Sequence, residues 1–373
     1  MDIINEFRNV LNDPYAYAGE WKKKNGKKVV GFFCSYAPEE LVLAADCLPV
    51  RLFGTRDNIV HADAHLQSYS CSLIRGALEE ALTGRLDFLD GAVFPHTCDS
   101  IQRLSDIWRM NMKFSFHWDV VMPVKLNTES AREYMRDVLH DFRDELSSGL
   151  GVEISDEKIQ EAIALYNRNR ALLKKIYEIR SKFPSVISGS DMHAILRGSM
   201  IMDRHELPGK LEKIVEHLEA ESANAEDSSA MRLMFTGGIC DFPDIFTVIE
   251  ESGGVVAWDD LCTGSRYFEG SISNADDPVS AIAERYTSRV ICPAKHASVT
   301  SRGENITELA KEHDIAGVIF LYLKFCDPHS WDYPYMKEYL DRAGVPSMLL
   351  EVEDRLPSEG QLRTRFETFI QTL

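Results

Sequence analysis

No stretch of this 373-residue chain is both long and apolar enough to cross a bilayer, and none of its eight cysteines stands in a C-x-x-C pair. Basic residues are scarce as well: 41 Lys and Arg face 59 Asp and Glu, a formal net charge of −18. The first absence argues against a membrane-spanning protein. The second removes close spacing as a sign of a metal or redox site. The third disfavours nucleic acid and anionic membranes, which need clustered cations. It leaves room for a small anionic ligand held by a local basic or backbone N–H site. The first residues, Met1 to Tyr15, read as a short acidic helix without the apolar core of a secretion signal. A cytoplasmic protein is therefore expected, and in that compartment the cysteines are expected to remain thiols.

What is present is an alternation of apolar runs and helical patterns. Strands are expected at Val29–Cys34, Pro49–Phe53, Gly91–Pro95 and Val120–Pro123, and again at Leu233–Thr236, Gly254–Trp258, Ala316–Leu321 and Pro346–Glu351. Between them Pro38–Cys47, Ser72–Leu82, Asp244–Ser252 and Asn305–Glu312 carry helical spacing. Strands alternating with helices imply an α/β fold with parallel sheets. The two halves also match in order, and in each a late apolar strand runs into a Cys-Asp pair, Cys98-Asp99 and Cys326-Asp327. Ser155–Lys182 reads as one long amphipathic helix with Ser155 as its N-cap. Glu219–Ala230 is small and polar and reads as a linker. The expected division is an N-terminal α/β domain over 1–150, a helical segment and linker over 151–230, and a C-terminal α/β domain over 231–373.

Ligands of parallel α/β sheets bind at the carboxyl ends of the strands. Cys98 and Cys326 follow such ends, and Cys71 stands at the expected start of a helix, where the dipole favours a thiolate. Three thiolates in one cleft suit an iron–sulfur cluster whose fourth iron lacks a protein cysteine. Buried structural thiols are the ordinary alternative, and the residues alone leave both open. Cys47 and Cys34 fit packing in or beside the first core, Cys240 and Cys262 fit second-half loops, and Cys292 occupies in the second half the place of Cys71 in the first.

Four segments together resemble the 2-hydroxyacyl-CoA dehydratase and benzoyl-CoA reductase family: Cys34-Ser35-Tyr36-Ala37-Pro38-Glu39-Glu40-Leu41, Tyr69-Ser70-Cys71-Ser72, His96-Thr97-Cys98-Asp99-Ser100 and Lys324-Phe325-Cys326-Asp327-Pro328. Gln361-Leu362-Arg363-Thr364-Arg365 is similar too. Within the family, Asp99–Trp108 and Asp259–Phe268 look closest to the smaller, cluster-bearing subunit of benzoyl-CoA reductase. The resemblance implies two Rossmann-like domains, a helical portion, and a 4Fe–4S cluster in the interdomain cleft held by Cys71, Cys98 and Cys326 with one open iron. It implies a subunit of an oxygen-sensitive, ATP-dependent acyl-CoA enzyme. Either the ring of an aromatic acyl-CoA is reduced by radical electron transfer, or a 2-hydroxyacyl-CoA is dehydrated; a non-catalytic electron relay is a further possibility. The implied partners are an acyl-CoA, a homologous cluster-bearing subunit or second copy, and an ATP-hydrolysing 4Fe–4S activator.

Two further residues are candidates for chemistry. Ser35 ends the first strand and is placed to hydrogen-bond a ligand of the open iron or a thioester oxygen, or simply nearby backbone. His96, two residues before Cys98, is placed to donate a proton, or to sit as a satisfied buried histidine. Glu39 and Glu40 are expected to serve the dipole of the helix they open, and Asp99 and Asp327 to cap helices. Thr236-Gly237-Gly238 would let backbone approach CoA phosphates but lacks the full dinucleotide fingerprint. Lys22–Lys28 reads as a solvated turn, or as a contact for a CoA phosphate or an acidic partner.

Overall fold

A computed structural model describes residues 2–55, 57–112, 116–225, 229–242, 244–289, 292–295, 297–298, 300–353 and 355–373. Two helices open the chain, α1 (Asp2–Asn12) and α2 (Pro14–Asn25). Asp13 caps α2 through its side chain, Pro14 starts it, and Gly26 ends it at φ +64, a conformation glycine adopts without a Cβ clash. The lysine run thus forms the last turn of a helix and only its tail is a turn. Lys22 donates to the Phe88 carbonyl at 2.8 Å and pairs with Asp90.

The first sheet is built from β1 (Val29–Phe32), α3 (Glu39–Ala44), β2 (Leu48–Arg51), α4 (Ser72–Leu82), β3 (Gly91–Pro95), α5 (Asp99–Asn111) and β4 (Phe116–Val120). Its strands are parallel in the order β2-β1-β3-β4. All residues of β1 and β3 are buried, as a sheet covered on both faces requires. The fourth strand ends where it was expected to begin. Phe116, Trp118 and Val120 point inward while His117 and Asp119 are half-buried, so this edge strand carries an alternating pattern and not a continuous apolar run.

Helices follow: α6 (Glu129–Leu150), α7 (Asp156–Lys182), α8 (Gly189–Ser199) and α9 (Leu207–Ser222). Ser155 caps α7 by accepting from the Lys158 N–H, with Asp156 and Glu157 in the first turn and Arg180 and Lys182 in the last. The first part of the expected linker continues α9, because Glu and Ala propagate a helix well. Its residues 226–228 lie outside the described ones.

The second sheet comes from β5 (Met231–Gly237), α10 (Asp244–Glu251), β6 (Gly254–Asp260), α11 (Ser265–Phe268), α12 (Pro278–Ser288), α13 (Ser301–Glu312), β7 (Gly317–Leu323), α14 (Asp327–Arg342), β8 (Ser347–Val352) and α15 (Glu359–Ile370). The order is β6-β5-β7-β8, all parallel, the same doubly wound order as in the first sheet. The likeness of the halves in sequence is therefore a likeness of topology. The chain is α/β with two parallel four-stranded sheets among the described residues.

The long helix α7 lies against α3 of the first half, α9 of the middle, and α11, α12 and β6 of the second half. A buried ionic group crosses this junction. The Glu39 carboxylate accepts from Tyr166 Oη at 3.0 Å, Arg204 Nη2 at 2.9 Å and Tyr267 Oη at 3.4 Å, drawing on the middle and second half together. Glu40, 1% exposed, pairs with Arg170 of α7. These two carboxylates were expected to serve only the α3 dipole; they instead lie in the interior, where an unpaired charge is costly and each takes a guanidinium.

Burial pushes the Glu40 carboxyl up, but Arg170 and Arg285 outweigh it and hold the pKa below its ordinary 4.5. A group depressed on folding stabilises the fold above its ordinary pKa and loses that contribution as the pH falls. Glu40→Gln leaves Arg170 without its counter-charge and should cost about 3–5 kcal/mol near neutral pH. Equilibrium urea unfolding measures this, and the gap from the parent should narrow below pH 4.5.

Candidate functional site

Three helices begin at three cysteines. Cys71 is the N-cap of α4, Cys98 of α5 and Cys326 of α14. Cys98 and Cys326 each follow the third strand of their half, β3 and β7, by the same number of residues, at the crevice where strand order reverses. An N-cap leaves the amides of the first turn without intrahelical partners, so each cysteine sits at a positive helix end. Asp99 and Asp327, expected to cap, occupy the first helical position, because the cysteines hold the caps. Phe325 takes φ +66, an outlying conformation for a bulky residue.

All three cysteines line one cavity of about 380 Å³. Its wall draws on both halves: Asp99 and Ser100 from the first, and Arg302, Asp327, Trp331 and Asp332 from the second. Burial pushes the Cys98 thiol up to about 12, with the neighbouring N–H of Ile101 opposing and the nearby Cys71 and Cys34 adding. Burial also raises Cys71, against the N–H groups of Ile74 and Leu73. Cys326 lies well above the ordinary thiol range through burial first and then the closeness of Cys71. The three sulfurs thus feel one another across a common space.

Among the described residues, no group of three or more His, Cys, Asp or Glu side chains is arranged for a single metal ion. A polynuclear cluster places each thiolate on a different iron, so its ligands stand further apart than those around one ion. Three cysteines spread around a cavity, with no fourth among the described residues of its wall, fit a multi-iron group with one iron free of cysteine.

The other candidates lie elsewhere. Ser35 follows β1, is 8% exposed, and is held by Arg289, whose Nη2 donates to Ser35 Oγ at 3.1 Å and Nη1 to Ser35 O at 3.2 Å. His96 Nε2 pairs with Asp119 Oδ1 at 2.8 Å, and Ser105 and Arg109 bind the same carboxylate. Burial pushes Asp119 up, yet hydrogen bonds from His117, Ser105 and His96 leave it well below the usual carboxylate range. Neither Ser35 nor His96 is on the cavity wall. Gly237 and Gly238 have a packing reason: a Cβ on Gly237 would meet Leu321 O at 1.9 Å, and one on Gly238 would crowd the His329 ring at 3.2 Å. Cys34, Cys262 and Cys292 gather beside the cavity; the Cys292 thiol is pushed up to about 12 by burial and then by Cys262. Val290 and Ile291, which precede Cys292, lie outside the described residues. Arg302, Trp331 and Asp332 carry no motif of their own. Only the register of α13 and α14 behind the Cys326 strand would have pointed to them.

A family model described as "2-hydroxyglutaryl-CoA dehydratase, D-component" matches residues 34–373. The chain is 28% identical to the (R)-phenyllactyl-CoA dehydratase beta subunit of Clostridium sporogenes, covering 100% of this chain and 98% of the relative. It is 27% identical to the beta subunit of (R)-2-hydroxyglutaryl-CoA dehydratase of Acidaminococcus fermentans, with 100% and 99% covered. It is 26% identical to a subunit of benzoyl-CoA reductase from Thauera aromatica, with 100% and 98% covered.

The raised thiols give a direct check on the metal-free chain. Iodoacetamide should label Cys98 slowly at pH 7, with the rate climbing about tenfold per pH unit, because the thiolate is the nucleophile. Peptide mass spectrometry of native and denatured protein follows it; fast labelling of the native chain at pH 7 would contradict the burial described.

Proposed function

Because the chain belongs to the 2-hydroxyglutaryl-CoA dehydratase D-component family, we propose that it is a subunit of an acyl-CoA enzyme and holds a 4Fe–4S cluster through Cys71, Cys98 and Cys326. The observation that carries the reading is the convergence of those three cysteines, each at a helix N-terminus, on one cavity. When bound, such a cluster supplies a single low-potential electron and, at the iron no cysteine holds, a Lewis-acid position.

The chain's own residues supply the setting. Three helix ends favour the thiolates that ligation requires, against the burial that raises them. Cys71 is buried and Cys98 and Cys326 are half-buried, so the wall shields the sulfurs in part. Ser35, fixed by Arg289, and His96, fixed by Asp119, remain the candidates for orienting a bound group and for moving a proton. Both stand off the cavity wall, so each needs a rearranged side chain or a bridging water to reach it. The units 1–150, 151–230 and 231–373 belong to the same reading, with the cluster at their meeting.

The reaction assigned is reduction of the ring of an aromatic acyl-CoA. The electron comes from an ATP-hydrolysing 4Fe–4S activator through this subunit and a homologous cluster-bearing partner, in the cytoplasm. No helix among the described residues is long and apolar enough to cross a membrane. Dehydration of a 2-hydroxyacyl-CoA is the second reading. It is favoured by the family's description and by the phenyllactyl-CoA dehydratase relative, while the benzoyl-CoA reductase relative favours the first.

Anaerobically purified protein should contain iron and sulfide in a ratio near one, and Cys71→Ser, Cys98→Ser and Cys326→Ser should each lose most of both while remaining folded by circular dichroism. Full iron retention in all three variants would falsify the ligand assignment. With partner subunit, activator and ATP, benzoyl-CoA consumption supports ring reduction. Turnover of (R)-phenyllactyl-CoA alone selects the second reading.

A further inference from the structure

A buried ionic group forms the wall behind the cysteines. Arg302, at the start of α13, is 3% exposed and lines the cavity with Asp332 of α14. Its Nε donates to the Asp332 carboxylate, and its Nη2 to Asp260 Oδ2 at 3.1 Å. Asp260, the last residue of β6, also receives Arg266 Nε at 2.6 Å and Thr236 Oγ1 at 2.8 Å. Burial pushes the Asp260 carboxyl up, but Arg266 and then Arg302 hold it at about 2, so it is charged near neutral pH. Two guanidinium groups therefore face two carboxylates. The Arg302 head cannot swing away, because both carboxylates grip it from different elements.

We propose that Arg302 and Asp332 are a potential-setting pair, a fixed cation and anion in the cavity wall whose near-cancellation governs how readily the group held by Cys71, Cys98 and Cys326 takes up an electron. The inference rests on the reading that these cysteines hold a cluster. A fixed charge beside a redox centre in a poorly screened interior stabilises one oxidation state over the other. A positive charge favours the electron-rich form, a negative one disfavours it. With both members present their fields largely cancel, and the pair leaves the potential shifted in neither direction. Asp99 and Asp327 also face the cavity, and their contribution is the same in every variant below. Arg302 and Asp332 act through the field and touch no reacting atom, so they are positioning residues in the electrostatic sense.

The competing reading is packing alone, since α13 and α14 lie against each other. Charge logic separates the two. Iron- and sulfide-loaded protein is titrated anaerobically with a low-potential reductant, and the reduced signal is followed by electron paramagnetic resonance. Asp332→Asn removes the anion and should move the midpoint potential up. Arg302→Met removes the cation and should move it down. The double variant restores neutrality and should return toward the parent, and Arg302→Lys, which keeps the charge, should stay near it. Single variants that shift the same way, or a double variant displaced by the sum of two like shifts, overturn the proposal. Should Arg302→Met fail to fold, Asp332→Asn remains decisive, because its side chain is 14% exposed and an amide of the same shape replaces it. A loaded parent with unmoved variants defeats this inference alone. A parent without iron and sulfide defeats the cluster reading as well, and the two failures are told apart by metal analysis before any titration.

Discussion

The docking of the helical middle against the first sheet rests on the carboxylates that open α3. Glu39 and Glu40 are out of water, and a buried carboxylate without a partner would be neutralised or expelled. Their partners come from α7, from the segment after α8 and from α11, so they are satisfied only when three stretches of chain meet in one arrangement. Such a group adds little net energy, because desolvation offsets much of the attraction. Its value here is selectivity: a helical middle that slipped against α3 would strand the two carboxylates and the guanidinium groups that face them, while the second half adds the Tyr267 bond. The seam between the two halves is closed beside it: Tyr286 donates to the Ala37 carbonyl at 2.7 Å, and Arg289 holds Ser35. The cavity inherits this arrangement, since Cys71 and Cys98 come from one side of the seam and Cys326 from the other.

The site repeats one local device three times. The chain turns at a cysteine and enters a helix, leaving the sulfur over unpaired amides. An oxygen-bearing cap such as Ser or Asp would satisfy those amides better. A cysteine there gives up capping strength for a donor able to hold a soft metal. Opposed to this is burial, which raises all three thiols. The helix ends act against it at all three cysteines, and at Cys98 the buried Lys295 ammonium lies near as well.

Much of this was legible from residue order. Most strands fall within a few residues of their expected places because a sheet covered on both faces makes nearly unbroken apolar runs, and α7 declares itself by spacing and by Ser155. The edge strand β4 was misplaced because its outer residues, His117 and Asp119, are polar, and the apolar Val120-Val121-Met122 at its end drew the assignment. Cys71, Cys98 and Cys326 stand out by position and by resemblance, and the structure gathers them around one cavity. What could not be read was pairing across great separations. Glu39 and Arg204 are 165 residues apart, and nothing local to either announces the other. The partners of His96 and Ser35, Asp119 and Arg289, were hidden for the same reason. Arg302 and Asp332 were unmarked because a lone Arg and a lone Asp occur on any helix.

The spread of the three cysteines along the polypeptide bears on biogenesis. While the ribosome is still making the second half, the growing chain already carries Cys71 and Cys98 but not the third cysteine of the cavity wall. Cys326 arrives only when β7 has emerged, and it reaches the others only after the second sheet has closed on the first. The shared cavity is thereby a property of finished, docked chains alone, and a product cut short before the end of β7 lacks one of its three thiols.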